Sequence, residues 1–389
     1  MGYEPTVFNQ LFNFIPRCVF EKSALAHGAD RYAKHFKAWQ QFLILLYAQA
    51  TGKRSLREIE GGLQLHQGKL YHLGLRPVPR STVADGLERR SCSLFEDLFH
   101  TMVQQAAHKA PRHAFRFRNP LYSIDATTVD LCLSVFDWAK FQKQKGAIKL
   151  HCQLDHAGHI PSFVHISDGK LNDLKAAEGF FELSPDSIYC FDKAYVGYKW
   201  LCRIHKAKAF FVTRARINMD YRIAGQHSRD FKDGVLSDNV IHLKAEGSRE
   251  KFPARMRLIL FKDERTGQLY QFLTNNFRLV ASTIAAIYKQ RWQIELFFKW
   301  IKQNLKIKTF LGTSRNAVMA QIWVAMTYYL LLAYIKFISK TRLSLGDFAR
   351  RMKEGLMMHM DLLELLCTAK IQPLKPPDGT DPIQLLLWL

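Results

Sequence analysis

Apolar positions recur at two different spacings along this chain, and the change from one to the other divides it. Up to about Val103 they fall three and four residues apart, the spacing of one helix face. HFKAWQQFLILLYAQATG predicts an apolar helix and SLREIEGGL a shorter amphipathic one. After the turn-rich YHLGLRPVPR, Ser81 is placed to cap a third helix, STVADGLERRSCSLFEDLFHTMV. Short helices flanked by Arg80, Arg89 and Arg90 suit a helix-turn-helix lying on DNA, and equally an ordinary bundle with a solvated basic face.

Near Pro120 the period drops to two. LYSIDATTVDLCL, AIKLHCQLD and HIPSFVHISD read as three strands, the last two joined by the AGH turn at 157–159. NDLKAAEGFFEL is helical, SIYCFD a fourth strand, YKWLCRIHKA a helix and AFFVTRAR a fifth strand. Three strands followed by alternating helix and strand predict a mixed α/β sheet with helices on its faces. Residues 216–276, with short strands and many polar turns, read as a β-rich insertion. Helices return at Ser282 and run to about Met358, and a tail with Pro373, Pro376, Pro377 and Pro382 reads as extended. Asn316–Ile335 carries no charge and just reaches the length of a membrane span. Its Asn316, Gln321 and Thr327, and the lack of a second such stretch, favour a buried helix.

Composition adds a partner to this picture. In 389 residues, 56 Lys and Arg face 34 Asp and Glu, a formal net charge of +22. That excess calls for a polyanion, nucleic acid first and an anionic membrane surface second. The seven cysteines are scattered, with no C-x-x-C, and read as thiols of a reducing cytoplasm. The N-terminal MGYEPTVFNQLFNF lacks the pattern of a signal peptide. No phosphate-binding, dinucleotide-binding or nucleophile-elbow motif occurs, which argues against nucleotide hydrolysis, hydride transfer and serine hydrolysis.

The candidate chemistry is carboxylate chemistry. Asp125 interrupts the first strand, and Asp192 closes the fourth. Both are placed where a sheet presents side chains to a crevice. The third acid lies in YKQRWQIELFFKWIK (288–302). Between Arg265 and Gly346, Glu295 is the only acid, against twelve Lys and Arg. On one continuous helix, Tyr288, Arg291, Glu295 and Lys302 would share a stripe roughly 60° wide, with Lys299 at its border and Trp292 and Phe298 anchoring it in a core. Glu295 could simply pair with Arg291 and Lys299. Together with two strand aspartates, it could instead hold two divalent ions on a phosphodiester. KFQKQKGAIK places Lys145 and Lys149 near Asp125 for phosphate contact. In HCQLDHAGH, strand alternation separates His151 from Cys152, which argues against zinc. Asp155 and Asp168 are explained by turns, Asp173 by a helix start, and Asp130 by the opposite strand face.

These residues resemble a known family. Asp125, Asp192 and Glu295 look like the DDE triad of bacterial insertion-sequence transposases. Tyr288, Arg291, Glu295 and Lys302 match the YREK signature of one transposase group, and DKAY at 192–195 is similar to its second-aspartate motif, with Ala194 where Gly is often found. The resemblance implies a ribonuclease-H-like catalytic core interrupted by a β-rich insertion and preceded by a helical N-terminal domain. The units expected are 1–118 (helical, DNA-binding), 119–214 (core), 215–278 (insertion), 279–358 (core, with the glutamate helix) and 359–389 (tail). It also implies Mg²⁺, with Mn²⁺ as substitute, on Asp125, Asp192 and Glu295. Double-stranded DNA of transposon ends and target would be the partner, cut and joined by a homodimer in the bacterial cytoplasm at the nucleoid, with no membrane involved. Tyr288, Arg291 and Lys302 would contact end phosphates, and Tyr270 would stack on a flipped base. The rival readings are a DNA-binding regulator that kept the fold without the chemistry, and a metal-dependent nuclease that cuts without joining.

Overall fold

The period-two segments become strands of one sheet. The computed structural model describes residues 5–132, 135–142, 145–228, 231, 233–304 and 310–366. Within them lie β1 (Leu121–Leu131), β2 (Lys140–Gln142), β3 (Lys145–Asp155), β4 (Ile160–Asp168), β5 (Ile188–Phe191), β6 (Phe210–Arg214), β7 (Tyr221–Gln226), β8 (Val235–Leu243), β9 (Met256–Lys262) and β10 (Leu269–Thr274). β1, β3 and β4 form an antiparallel meander. β5 then runs parallel to β1, and β6 parallel to β5. The parallel steps use helices Asp173–Phe180 and Tyr198–Lys206 as crossovers. All four residues of β5 are buried, which is why IYCF is an unbroken run with no polar alternation.

The β-rich stretch does not form a sheet of its own. β10 lies antiparallel beside β6, and β9, β8 and β7 follow outward, so the sheet continues without a gap from the strands that carry the acids. Sequence periodicity reports which face is buried but carries no information on long-range partners.

The helical parts at the two ends of the chain share a core. Helix Arg315–Ser339 packs against Ala38–Thr51 and Ser93–Lys109, with the Phe99 and Trp323 rings 5.1 Å apart. Backbone bonds Val7 N–H to Met358 O (3.0 Å) and Phe8 N–H to Leu356 O (2.8 Å) close the ends on each other. By length and composition the 315–339 helix could cross a membrane, yet 94% of its most apolar window is buried against these neighbours.

Three local expectations are corrected. The helix expected from Ser81 onward is two, Arg80–Arg89 and Ser93–Lys109. Its start is set not by Ser81 but by Pro79, whose fixed φ suits a helix entry, while Glu60 Oε1 accepts the Arg80 N–H at 3.2 Å. Arg90 does not face a ligand. It is buried between the two helices, donating to Ala29 O (2.9 Å) and Gln41 Oε1 (2.8 Å). The tail begins with a short helix, Leu362–Leu366, and its prolines lie outside the described residues.

Candidate active site

Strand register brings the two aspartates together. Ile124 pairs with Phe191 in the parallel β1–β5 ladder, so the residues that follow, Asp125 and Asp192, stand side by side where β5 ends. Asp125 Oδ1 accepts the N–H of Ala126 (2.8 Å), and Asp192 Oδ1 that of Ala194 (3.1 Å). The other oxygen of each meets a cation. Arg291 Nη1 lies 3.2 Å from Asp125 Oδ2, and Arg214 Nη2 lies 3.2 Å from Asp192 Oδ2. Tyr288 donates its hydroxyl to Asp192 Oδ2 at 3.4 Å.

Glu295 reaches this pair through Arg291, whose Nη2 is 2.5 Å from Glu295 Oε1. The helix expected to run unbroken through 288–302 is interrupted at that residue. One segment is Ala281–Gln290 and the next Trp292–Asn304, with Arg291 joined by i to i+3 bonds to Tyr288 O and from Ile294 N–H, both 3.1 Å. No Pro or Gly marks the break. Arg291 itself keeps right-handed helical dihedrals, and its one guanidinium meets Asp125 of β1 and Glu295 four residues further on. Trp292 also departs from expectation, since it is 56% exposed and anchors nothing, whereas Phe298 is buried.

Burial and pairing push the two aspartates apart. Burial raises the Asp125 carboxyl to about 6, against the pull of the Ala126 N–H and Arg291. Burial also opposes the charge on Asp192, but the Ala194 N–H, Arg214 and Arg291 outweigh it and hold that carboxyl below its ordinary range. Burial lifts the Tyr288 phenol to about 12, although Arg291 and Arg214 flank its ring at 5.7 and 5.8 Å.

These oxygens suit a hard divalent cation, and the half-buried Asp125 favours positive charge beside it. The Arg291 guanidinium supplies that charge here, between Asp125 and Glu295. Among the described residues no three carboxylate, imidazole or thiolate groups stand close enough to share one ion. The same holds for HCQLDHAGH, where His151 bonds Ser167 (2.9 Å) and His156 bonds Ser123 (2.7 Å).

The remaining candidates divide. Lys149 is held by Asp173 at 2.6 Å, the first residue of its helix. Lys145 opens β3, and its side chain falls outside the described residues. Lys302 sits in the last turn of Trp292–Asn304. Tyr270 stands with the site: it lines a cleft of about 680 Å³ together with Phe272, Tyr288, Arg291 and Trp292. Tyr270 stacks on Phe272 (5.8 Å, 6° between planes), which meets Tyr288 at 5.0 Å.

Sequence reasoning passed over Arg214 and Arg257. Arg214 ends β6, and the parallel neighbour of a strand carrying an acid was the available signal. Arg257 is buried on β9, bonded twice to buried Asp238 of β8 (2.7 and 2.6 Å) and to Asn276 O (3.1 Å) and Leu279 O (2.5 Å). It thereby ties the outer strands to the loop that leads into the helix before Arg291.

The family described as "Transposase DDE domain" matches residues 116–331, and one described as a domain of unknown function matches 4–76. The chain is 34% identical to y4zB of Sinorhizobium fredii, a transposase by its name, over 70% of this chain and 74% of that one. It is 28% identical to a protein of Geobacillus stearothermophilus named as a transposase for insertion sequence element IS5377, over 80% and 87%. A cryo-EM structure of a piggyBac transposase synaptic complex with hairpin DNA aligns with a TM-score of 0.44 and 11% identity, over 95% of this chain and 83% of that one.

Proposed function

This chain belongs to the transposase DDE-domain family and is a DNA transposase, an enzyme of DNA strand cleavage and transfer; from that premise we propose that Asp125, Asp192 and Glu295 are its catalytic carboxylates. The family implies a divalent metal, and we take it to be Mg²⁺, with Mn²⁺ able to replace it. The observation that carries the assignment is the register placing Asp125 beside Asp192, with Glu295 linked to Asp125 through Arg291. An antiparallel β1–β3–β4 meander followed by parallel β5 and β6 supports a ribonuclease-H-like core.

When bound, divalent ions on these carboxylates would lower the pKa of water and stabilise the attacking and leaving oxygens of an in-line displacement. The protein's own part is charge exchange. Arg291 neutralises Asp125 and Glu295 in the structure, and with a divalent ion on those carboxylates its guanidinium would be free for DNA phosphate. Tyr288 and Lys302 hold further end phosphates, and such contacts position DNA without reading its sequence. Arg214 keeps Asp192 ionised and aligned. The Tyr270–Phe272–Tyr288 row offers a stacking face for an unpaired base. The DNA substrates are transposon ends and target, brought together by two copies of the chain in the bacterial cytoplasm without a membrane.

The test is Glu295→Gln. It is expected to bind end-containing DNA as the wild type does and to lose Mg²⁺-dependent nicking, read on a denaturing gel, by on the order of 10³-fold or more. Nicking at the wild-type rate would remove Glu295 from the site.

A further inference from the structure

A second cleft of about 690 Å³ meets the aromatic one at Phe115, which lines both. It lies between the segment after helix Ser93–Lys109, the β3–β4 turn and the end of helix Arg315–Ser339. Lys109, Arg112, Lys336 and Lys340 line it with His113 and His159, and no Asp or Glu among the described residues does. We propose that this cleft binds a backbone phosphate of the DNA strand that runs on to the carboxylates.

Charge is the first ground. Two unit charges 4 Å apart in water interact by about 1 kcal/mol, and by more where water is excluded. Lys109, Arg112 and Lys340 pair with no carboxylate among the described residues. The ends of two helices account for Lys109 and Lys336, because helix C-termini favour cations. They do not account for Arg112, His113 or His159. Lys336 Nζ is fixed on Leu343 O at 2.6 Å, and Asn119 O accepts from His113 Nε2 at 2.9 Å. That bond puts the proton on Nε2 and leaves Nδ1, the acceptor nitrogen of the neutral ring, as a buried atom without a partner among the described residues.

Backbone geometry is the second ground. His159 and Lys340 both hold left-handed φ values, 56° and 52°, which L-residues adopt at a cost of roughly 1–2 kcal/mol. Such strain persists where the surroundings enforce it, and it clusters at ligand clamps. Here the enforcement is visible. Tyr329 donates to His159 O at 2.8 Å, and Gly158 packs so closely on Phe337 that an added Cβ would lie 2.6 Å from the ring. The cleft walls are therefore fixed before any ligand arrives.

Position is the third ground. Gln290 lines the basic cleft, while Tyr288, Lys289, Arg291 and Trp292 line the aromatic one. Neighbouring residues of one helical stretch thus face both, and Arg291, which bonds Asp125 and Glu295, lines the aromatic cleft that meets the basic one at Phe115. Burial, and then His159 and His113, depress the basicity of the adjoining His156, an environment that an entering anion would relieve.

The inference rests on the transposase reading, and the experiment separates the two. Binding of the full chain to a labelled mixed-sequence duplex is followed by fluorescence anisotropy across a salt series. Each phosphate contact adds about 0.9 to the slope of log K against log salt concentration. The double variant Arg112→Gln with Lys340→Gln is expected to lower that slope by one phosphate, about 0.9. An unchanged slope defeats the cleft alone, and a wild-type chain that binds no DNA defeats the transposase reading with it. Should the double variant misfold, acetylation of the wild-type chain with and without DNA decides the matter. Lys340 is expected to be protected, and equal labelling overturns the proposal.

Discussion

The carboxylate site and the basic cleft treat charge in opposite ways. On the sheet side nearly every charge has an answering one: Asp192 with Arg214, Asp125 and Glu295 with Arg291, Asp238 with Arg257. On the cleft side cations stand together with no acid among them. A paired group is stable and must be displaced to do chemistry, whereas an unpaired cluster waits for an anion from outside. A net charge of +22 therefore says little about where DNA lies, since the informative quantity is which cations are already neutralised.

The comparison can be broken hardest on the paired side. Asp238→Ala leaves the Arg257 guanidinium charged in a site where it is 1% exposed. A loss of about 3–5 kcal/mol is expected in urea unfolding. The same variant loosens Asn276 and Leu279, so it should also weaken cleavage more than DNA binding.

A smaller effect sharpens the contrast through pH. Burial, then His159 and His113, lower the His156 imidazole to about 3 in the fold. A depressed pKa contributes stability that is complete above the unfolded value of about 6.5 and is lost as pH falls towards 3. Between about pH 7 and pH 5, the wild type should therefore lose about 2 kcal/mol more than His156→Gln, measured by denaturation at both. Equal losses would mean that burial does not keep this histidine neutral in the fold. Smallest of all, Lys340→Gln should leave stability within about 0.5 kcal/mol, because no partner is stranded. A large loss would show that the cluster is structural.

How much of this was legible depended on range. β1, β3 and β4 followed from alternation and turns, and β5 and β6 from short apolar runs between helical segments, because those signals are local. Asp125 and Asp192 stood out because an acid closing or interrupting an apolar strand needs a reason, and Glu295 because it is alone among cations. What the residue order could not convey was contact between distant segments. The β6–β10 pairing, the burial of Arg90 between two helices, and the bond from Arg214 to Asp192 all join residues far apart in the chain. The interruption at Arg291 has no Pro or Gly to announce it. Both readings of Glu295 weighed on spacing meet in the fold, where the ion pair with Arg291 is also what brings the glutamate to the aspartates.

The return of β10 beside β6 has a consequence for how the chain can vary. Thr213 and Leu273 are ladder partners, so the chain between them extends the sheet outward through β7, β8 and β9 and comes back to its starting point. Lengthening or trimming the turns between β7, β8 and β9 changes a loop whose ends are fixed in register, and loop entropy grows only slowly with length. The span separating Asp192 from Glu295 in sequence can thus drift over generations while the distance between their side chains is kept by two adjoining strands.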